Sequence, residues 1–216
     1  MLISEKYKFI FIHIHKNAGI SIKHALRPFA VEKWQPFAIG QWQWRVHKRL
    51  KKKGFPSPFF EPHPFHGHIK ASEMIDALGF DAFNSFFSFA VVRNPWDWQV
   101  SLYKYMLKRE THYQHEFIKS LGSFENYIKW RCENEVRYQK DFIYSEDNRL
   151  LVDFVGRYEN LNADFNQICS RIGVSTSLPK LNVSDGRPYR HYYTEETKEL
   201  VGKVFEPDVK ILDYTF

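Results

Sequence analysis

Cysteine is scarce in this chain of 216 residues: Cys132 and Cys169 are its only two. That excludes a disulfide scaffold and makes a reduced, cytoplasmic setting the default expectation. Nowhere does an apolar run approach the roughly 18 residues of a transmembrane helix. The opening stretch MLISEKYKFIFIHIHK alternates its apolar residues with His and Lys and lacks a small-residue cleavage site, so it reads as a strand rather than a signal peptide, and no membrane anchor is expected. Internal repeats and Ser/Gly-rich linkers are absent too, which points to a single domain over 1–216. A Gly-Lys-Ser/Thr triplet is missing, which argues against the common nucleoside-triphosphate loop.

What the chain has in plenty is aromatic surface and positive charge. Twenty Phe, 12 Tyr and 6 Trp make 18% of the residues, enough to fill a core and leave flat side chains for a cleft. With 44% hydrophobic and 26% charged residues the composition is globular, and global disorder is excluded. The net charge of +6 and a pI near 9.1 favour anionic partners without choosing among nucleotides, acidic glycans, nucleic acid and membrane surfaces.

Lys8 to Ile14 predicts a strand buried on both faces, followed by a helix from about Ser21 with Ile22, Ala25, Leu26 and Phe29 inward. Phe86 to Val92 predicts a second buried strand, with Pro95 suited to the first turn of the next helix. Leu151 to Val155 and a helix over 160–172 make a third such unit. Strand, loop and helix in three rounds predict an α/β fold with a mainly parallel central sheet flanked by helices. Residues 110–148 read as mostly helical, and a helix capped by Thr194 is predicted to run to about Phe205 and stop at Pro207. Residues 34–64, rich in Trp, Pro and Lys, read as an insertion or cover.

Two loops carry the chemistry. HIHKNAGIS (13–21) leaves a strand and opens a helix, which aims backbone N–H groups and a helix dipole at one point, a setting for phosphate or sulfate oxygens. Lys16 adds charge and Ser21 a hydroxyl; a plain turn with an exposed Lys is the alternative. VVRNPWDWQVSLY (91–103) places Arg93 at a strand end and Ser101 on the following helix, a pair able to grip a phosphate. Here the alternative is an Arg93–Asp97 ion pair.

Taken together, HxHKNAGxS and VRNPWDxxVSxY resemble the paired signatures of sulfotransferases dependent on PAPS (3′-phosphoadenosine-5′-phosphosulfate), most nearly the carbohydrate branch and its small bacterial relatives. The resemblance extends into VGRYENL (155–161), LPKLNVS (178–184) and the aromatic C-terminal end. It implies a P-loop-like nucleotide-binding fold, in which Lys16, Asn17, Ala18, Gly19, Ile20 and Ser21 cradle the 5′-phosphosulfate while Arg93 and Ser101 hold the 3′-phosphate. PAPS is then the donor and 3′,5′-ADP the product. The implied acceptor is a hydroxyl, expected on a carbohydrate, with neither nucleic acid nor metal involved. A basic late loop implies Arg187 or Arg190 near the nucleotide. Ile20 and Trp98 depart from the Thr and Arg common at these places, and Trp98 is expected to alter the outer contacts of its helix.

FHGHIKASE (65–73) sets His66 and His68 on one face of an extended segment, and histidine suits a general base near neutral pH. The pattern is similar to that of uronyl-2-sulfotransferases, which implies His68 as the base with His66 assisting. A metal site made of His63, His66 and His68 would lack carboxylate or thiolate company and ranks below catalysis. His13 is expected to be packed and His15 to shape the loop. Glu159 is expected to anchor its neighbours, and Cys132 and Cys169 to serve packing. A nucleotide-dependent phosphotransferase and a non-catalytic binder of nucleotides or anionic glycans are the rival functions.

Overall fold

The computed structural model describes residues 1–30, 67–179 and 187–216. The 34–64 insertion, with His63, and the neighbouring His66 lie outside them. Four strands form one sheet in the order β1 (Leu2–Ser4), β2 (Phe9–Ile12), β3 (Phe87–Val92), β4 (Phe154–Arg157). β1 runs antiparallel to β2, whereas β2, β3 and β4 are parallel, with Phe11 opposite Phe89 and Phe89 opposite Phe154. The expected mainly parallel α/β sheet is therefore present.

Alternation explains why the central strands are apolar but for Ser88, whose hydroxyl donates to Asp153 at 2.8 Å, since odd and even residues meet different helical layers. Phe9, Phe11, Phe89 and Val91 pack against α1 (Gly19–Leu26) and α7 (Leu161–Ile172), through Ile22, Leu26, Phe165 and Ile168. Ile10, Ile12, Ala90 and Val92 face the other way, toward Met74 of α2 (Ala71–Leu78), Phe83 of α3 (Phe80–Asn84), Ile143 and Tyr214. A third cluster, around Trp98, Tyr127 and Phe205, binds α4 (Pro95–Lys108) to α6 (Phe124–Asn134) and α8 (Glu195–Val204). Cys169 and Cys132 are buried in these layers as packing residues.

Boundaries differ from the sequence expectation in a few places. β2 stops at Ile12, and α1 opens at Gly19 rather than Ser21. Residues 110–148 hold only α5 (His115–Ser120), α6 and a 3₁₀ turn at Lys140–Phe142, joined by loop. Pro207 does not merely stop α8: it occupies the first turn of α9 (Glu206–Ile211), where a missing N–H is harmless. The Thr194 cap is as expected, its hydroxyl accepting from the Thr197 amide. Among the described residues no helix is long and apolar enough to cross a membrane.

Candidate active site

The loop from β2 to α1 holds two non-glycine residues in the left-handed region, Lys16 at φ 67° and Ala18 at φ 56°. Each such residue costs roughly 1–2 kcal/mol, and strain of this kind collects where a loop must present its amides to a ligand. Gly19 opens the helix because nothing larger fits: a Cβ there would lie 1.8 Å from Nε2 of His13. His13 is thus packed, as expected, yet its packing shapes the loop.

Asn17 departs from its expected part. Its side chain turns inward, Nδ2 donating to the Val91 carbonyl at 2.9 Å and to Oε1 of Gln139 at 2.7 Å. What Asn17 can offer an anion is its backbone N–H. Lys16 is half-buried with Nζ 4.1 Å from the Tyr105 ring centre. Burial, and after it the charge of Arg93, lower its ammonium to about 8.

The second loop abuts the first. Arg93 is buried; its Nε pairs with Asp97 at 2.8 Å, its Nη1 donates to the Lys16 carbonyl at 3.2 Å, and its guanidinium lies 3.9 Å from the Tyr158 ring centre. The Arg93–Asp97 ion pair therefore exists alongside the cavity position rather than instead of it. Asn94 caps α4 by accepting from the amides of Trp96 and Asp97, and its own N–H donates to Glu159 at 2.7 Å, so Glu159 anchors the loop as expected. Trp98 does not touch the outside of its helix. It is fully buried, and its indole N–H donates to the His15 carbonyl at 2.8 Å, tying α4 to the first loop.

Histidine meets histidine at the sheet's end. His68 sits in a turn just before α2, and its Nδ1 lies 2.9 Å from the His13 carbonyl. A carbonyl only accepts, so Nδ1 carries the proton and Nε2 is the basic nitrogen. The His68 ring is 4.4 Å from that of His13 and 5.8 Å, edge-on, from that of His15. Burial first, and positive neighbours second, hold His13 at about 2 and His15 at about 3, so both are neutral.

These pieces line one cavity of about 810 Å³: Lys16, Ala18, Gly19, Ile20 and Ser21 from the first loop, Arg93 and Ser101 from the second, His13, His15 and His68, with Tyr158, Leu161 and Asn162 beyond β4. Arg187 and Arg190 are described but do not line it; the Arg190 guanidinium lies over the rings of Tyr189 and Phe216, at 4.9 and 5.6 Å. No cluster of His, Cys, Asp and Glu able to hold a metal occurs among the described residues. Sequence reading missed Gln139, whose amide joins both loops, and Tyr105 and Tyr158, which lie under the two cations; aromatic content was the one signal for the latter.

A profile described as the sulfotransferase family matches residues 1–215. A protein of Archaeoglobus fulgidus, described only as uncharacterized, is 29% identical over 117 residues, which is 52% of this chain and 90% of that protein. A crystal structure of a sulfotransferase from Alicyclobacillus acidocaldarius aligns over 98% of this chain and 87% of its own, at 18% identity and a TM-score of 0.33.

Proposed function

From the premise that the chain belongs to the sulfotransferase family, we propose that it moves a sulfuryl group from PAPS to a carbohydrate hydroxyl, releasing 3′,5′-ADP, with His68 as base and no metal. What supports the reading is one cavity shared by the Lys16 loop, the Arg93 and Ser101 pair and His68.

The residues fit the donor's chemistry. Two separated anionic groups need two cationic grips, and Lys16 and Arg93 provide them from adjoining loops. The Lys16 carbonyl already holds Arg93, so the grips are set before a ligand arrives, which lowers the ordering cost of binding. In the transfer, a bond forms between sulfur and the acceptor oxygen while the bond from sulfur to the bridging phosphate oxygen breaks. Nε2 of His68 takes the acceptor's proton. Lys16 and the strained loop's amides meet the negative charge that grows on the leaving oxygen, and preorganised donors of this kind act most strongly away from water.

Calorimetry with 3′,5′-ADP and 5′-AMP tests the donor assignment. The 3′-phosphate should make 3′,5′-ADP the tighter ligand, and Arg93→Ala should remove most of the difference. Equal affinities in the wild type refute the assignment. Mass spectrometry of hydroxylated acceptors incubated with PAPS then tests the transfer.

A further inference from the structure

Lys16 is a half-buried cation without an anion. Among the described residues no carboxylate pairs with it: Asp97 is taken by Arg93, and Glu135 by Arg131. A charge drawn out of water needs a partner, or it is discharged. Arg93 cannot serve, since it is a second cation, and its Nη1 donates to the Lys16 carbonyl at 3.2 Å. What Lys16 has is a ring. Its Nζ lies 4.1 Å from the ring centre of Tyr105, and both residues line the cavity.

That ring is held in place. Tyr105 stands one turn after Ser101 on α4, a spacing that sets the two on one face of the helix, and Ser101 lines the same cavity. The Tyr105 hydroxyl accepts from Nη1 of Arg109 at 2.7 Å, and the His112 ring meets the Tyr105 ring edge-on at 5.7 Å. Lys16, by contrast, sits at φ 67° on a strained loop, and its four-carbon stem is flexible. A fixed aromatic face selects among the positions open to that stem, because the negative face of the ring attracts an ammonium, most strongly away from water.

We infer that Tyr105 is a positioning residue for Lys16: its ring seats the ammonium at the cavity wall, with the open side turned to the donor's phosphosulfate. The seat sets the cation before a ligand arrives and opposes its discharge. Around Lys16 the charged and titratable groups are Arg93 from the second loop, His15 from its own loop, and Arg109 and His112 beyond the Tyr105 ring. His15 is held at about 3 and His112 below its ordinary value, each chiefly by burial, so both are neutral above about pH 7. The arginines stay charged. Lys16 is then the group of this set that titrates between about pH 7 and 9.

Lysine labelled with ¹³C and ¹⁵N lets NMR follow the Lys16 ammonium in the free full chain, its signal assigned by its loss in Lys16→Arg. Tyr105→Phe keeps the aromatic face and should leave the titration where it is. Tyr105→Leu keeps apolar bulk without the face. Its Lys16 titration should fall by about one pH unit, the scale of one desolvated cation–ring contact, and the upfield shift of the ε-protons should vanish. Tyr113→Leu, which removes an exposed ring elsewhere on the cavity lining, should change neither. Where Tyr105→Leu does not fold, pentafluorophenylalanine at position 105 keeps the ring's shape and reverses the charge of its face, and it should give the same fall relative to Tyr105→Phe. Calorimetry supplies the functional reading, and there the inference rests on the donor assignment. The loss of 3′,5′-ADP affinity in Tyr105→Leu should widen about fivefold from pH 6 to pH 8, whereas a merely structural fault weakens binding equally at both. A Lys16 titration that stays or rises when the aromatic face is removed, or a loss of affinity that is level with pH, overturns the inference. Wild-type protein that does not bind 3′,5′-ADP refutes the donor assignment instead, and the NMR titration still decides the seat.

Discussion

Gln139 and Arg93 exchange two hydrogen bonds: the Arg93 N–H donates to Oε1 of Gln139 at 2.9 Å, and Nε2 of Gln139 donates to the Arg93 carbonyl at 2.8 Å. One side-chain amide thus pairs with the backbone at the end of β3 as a further strand would. Because Oε1 also accepts from Asn17, the same amide spans both loops of the cavity. Its own backbone N–H is held by Asp208 of α9 at 2.8 Å.

Replacing Gln139 with Met keeps much of its volume and strands three buried polar groups, on Asn17 and on both sides of Arg93. Each such group costs about 1–3 kcal/mol. Gln139→Met should lower stability by at least about 3 kcal/mol and weaken 3′,5′-ADP, while a Gln99→Met control, buried but not between the loops, should leave nucleotide affinity alone. Denaturant unfolding and calorimetry measure the two effects. Unchanged nucleotide affinity in Gln139→Met would show that the loops do not need the link.

How much of this was legible beforehand follows from where each signal lies. The Phe- and Ile-rich runs announced β2 and β3 because strands covered on both faces have no room for polar residues. Lys16, Gly19, Arg93 and Ser101 stood out because the loop chemistry is local. Gln139 gave no sign: its partners are Asn17 and Arg93, far away in sequence, and it follows a polar stretch without periodicity. Trp98 misled for the same reason, since the His15 carbonyl that turns it inward belongs to another loop.

The close approach at Gly19 has a sharp consequence. A methyl group there collides with the His13 ring, and overpacking of this kind costs about 1–3 kcal/mol. Gly19→Ala should lower the melting temperature and weaken 3′,5′-ADP. Adding His13→Ala should restore part of the nucleotide affinity by opening the space. No recovery in the double variant would locate the damage in the backbone rather than in the ring.

Acid should unfold this protein early. His13 and His15 titrate at about 2 and about 3 when folded, against 6.5 when free, chiefly because they are buried. Between those values the unfolded chain binds their protons and the folded chain does not, so stability falls as pH drops below about 6.5. Asp208 opposes this: burial raises it from 3.8 to about 6, so over that window the folded chain holds the extra proton. Two histidines outweigh one aspartate by about one proton near pH 5, or roughly 1.4 kcal/mol per pH unit. Urea midpoints at pH 7, 6 and 5 measure the slope. His15→Phe, which suits the aromatic contacts with Trp98 and Phe142, should nearly flatten it; an unchanged slope would remove His15 from the account.

Alkali should act on the ligand instead. With Lys16 at about 8, lowered by burial and then by Arg93, its ammonium is lost as pH rises past that value. Affinity for 3′,5′-ADP should therefore fall between pH 7.5 and 9.5 by up to about tenfold per unit. Lys16→Arg, charged throughout, should bind with a flat profile. A wild-type affinity that is level across this range would mean that Lys16 does not touch the nucleotide.

Chemistry and binding should separate at His68. Its Nδ1 is committed to the His13 carbonyl, so Nε2 is the atom that can take a proton. His68→Ala should lose about 10²–10⁴-fold in turnover, the usual contribution of a positioned base, and still bind 3′,5′-ADP as the wild type does. Lys16→Ala should lose both, because its charge meets the donor in the ground state and more strongly in the transition state. His68→Gln adds a sharper reading: its amide can restore the bond to the His13 carbonyl but cannot act as a base, so it should recover any lost stability without recovering turnover. Single-turnover sulfation and 3′,5′-ADP calorimetry, run on the same preparations, measure both quantities. Near-normal turnover in His68→Ala would end the general-base assignment, and turnover restored by His68→Gln would make His68 a positioning residue for the first loop instead.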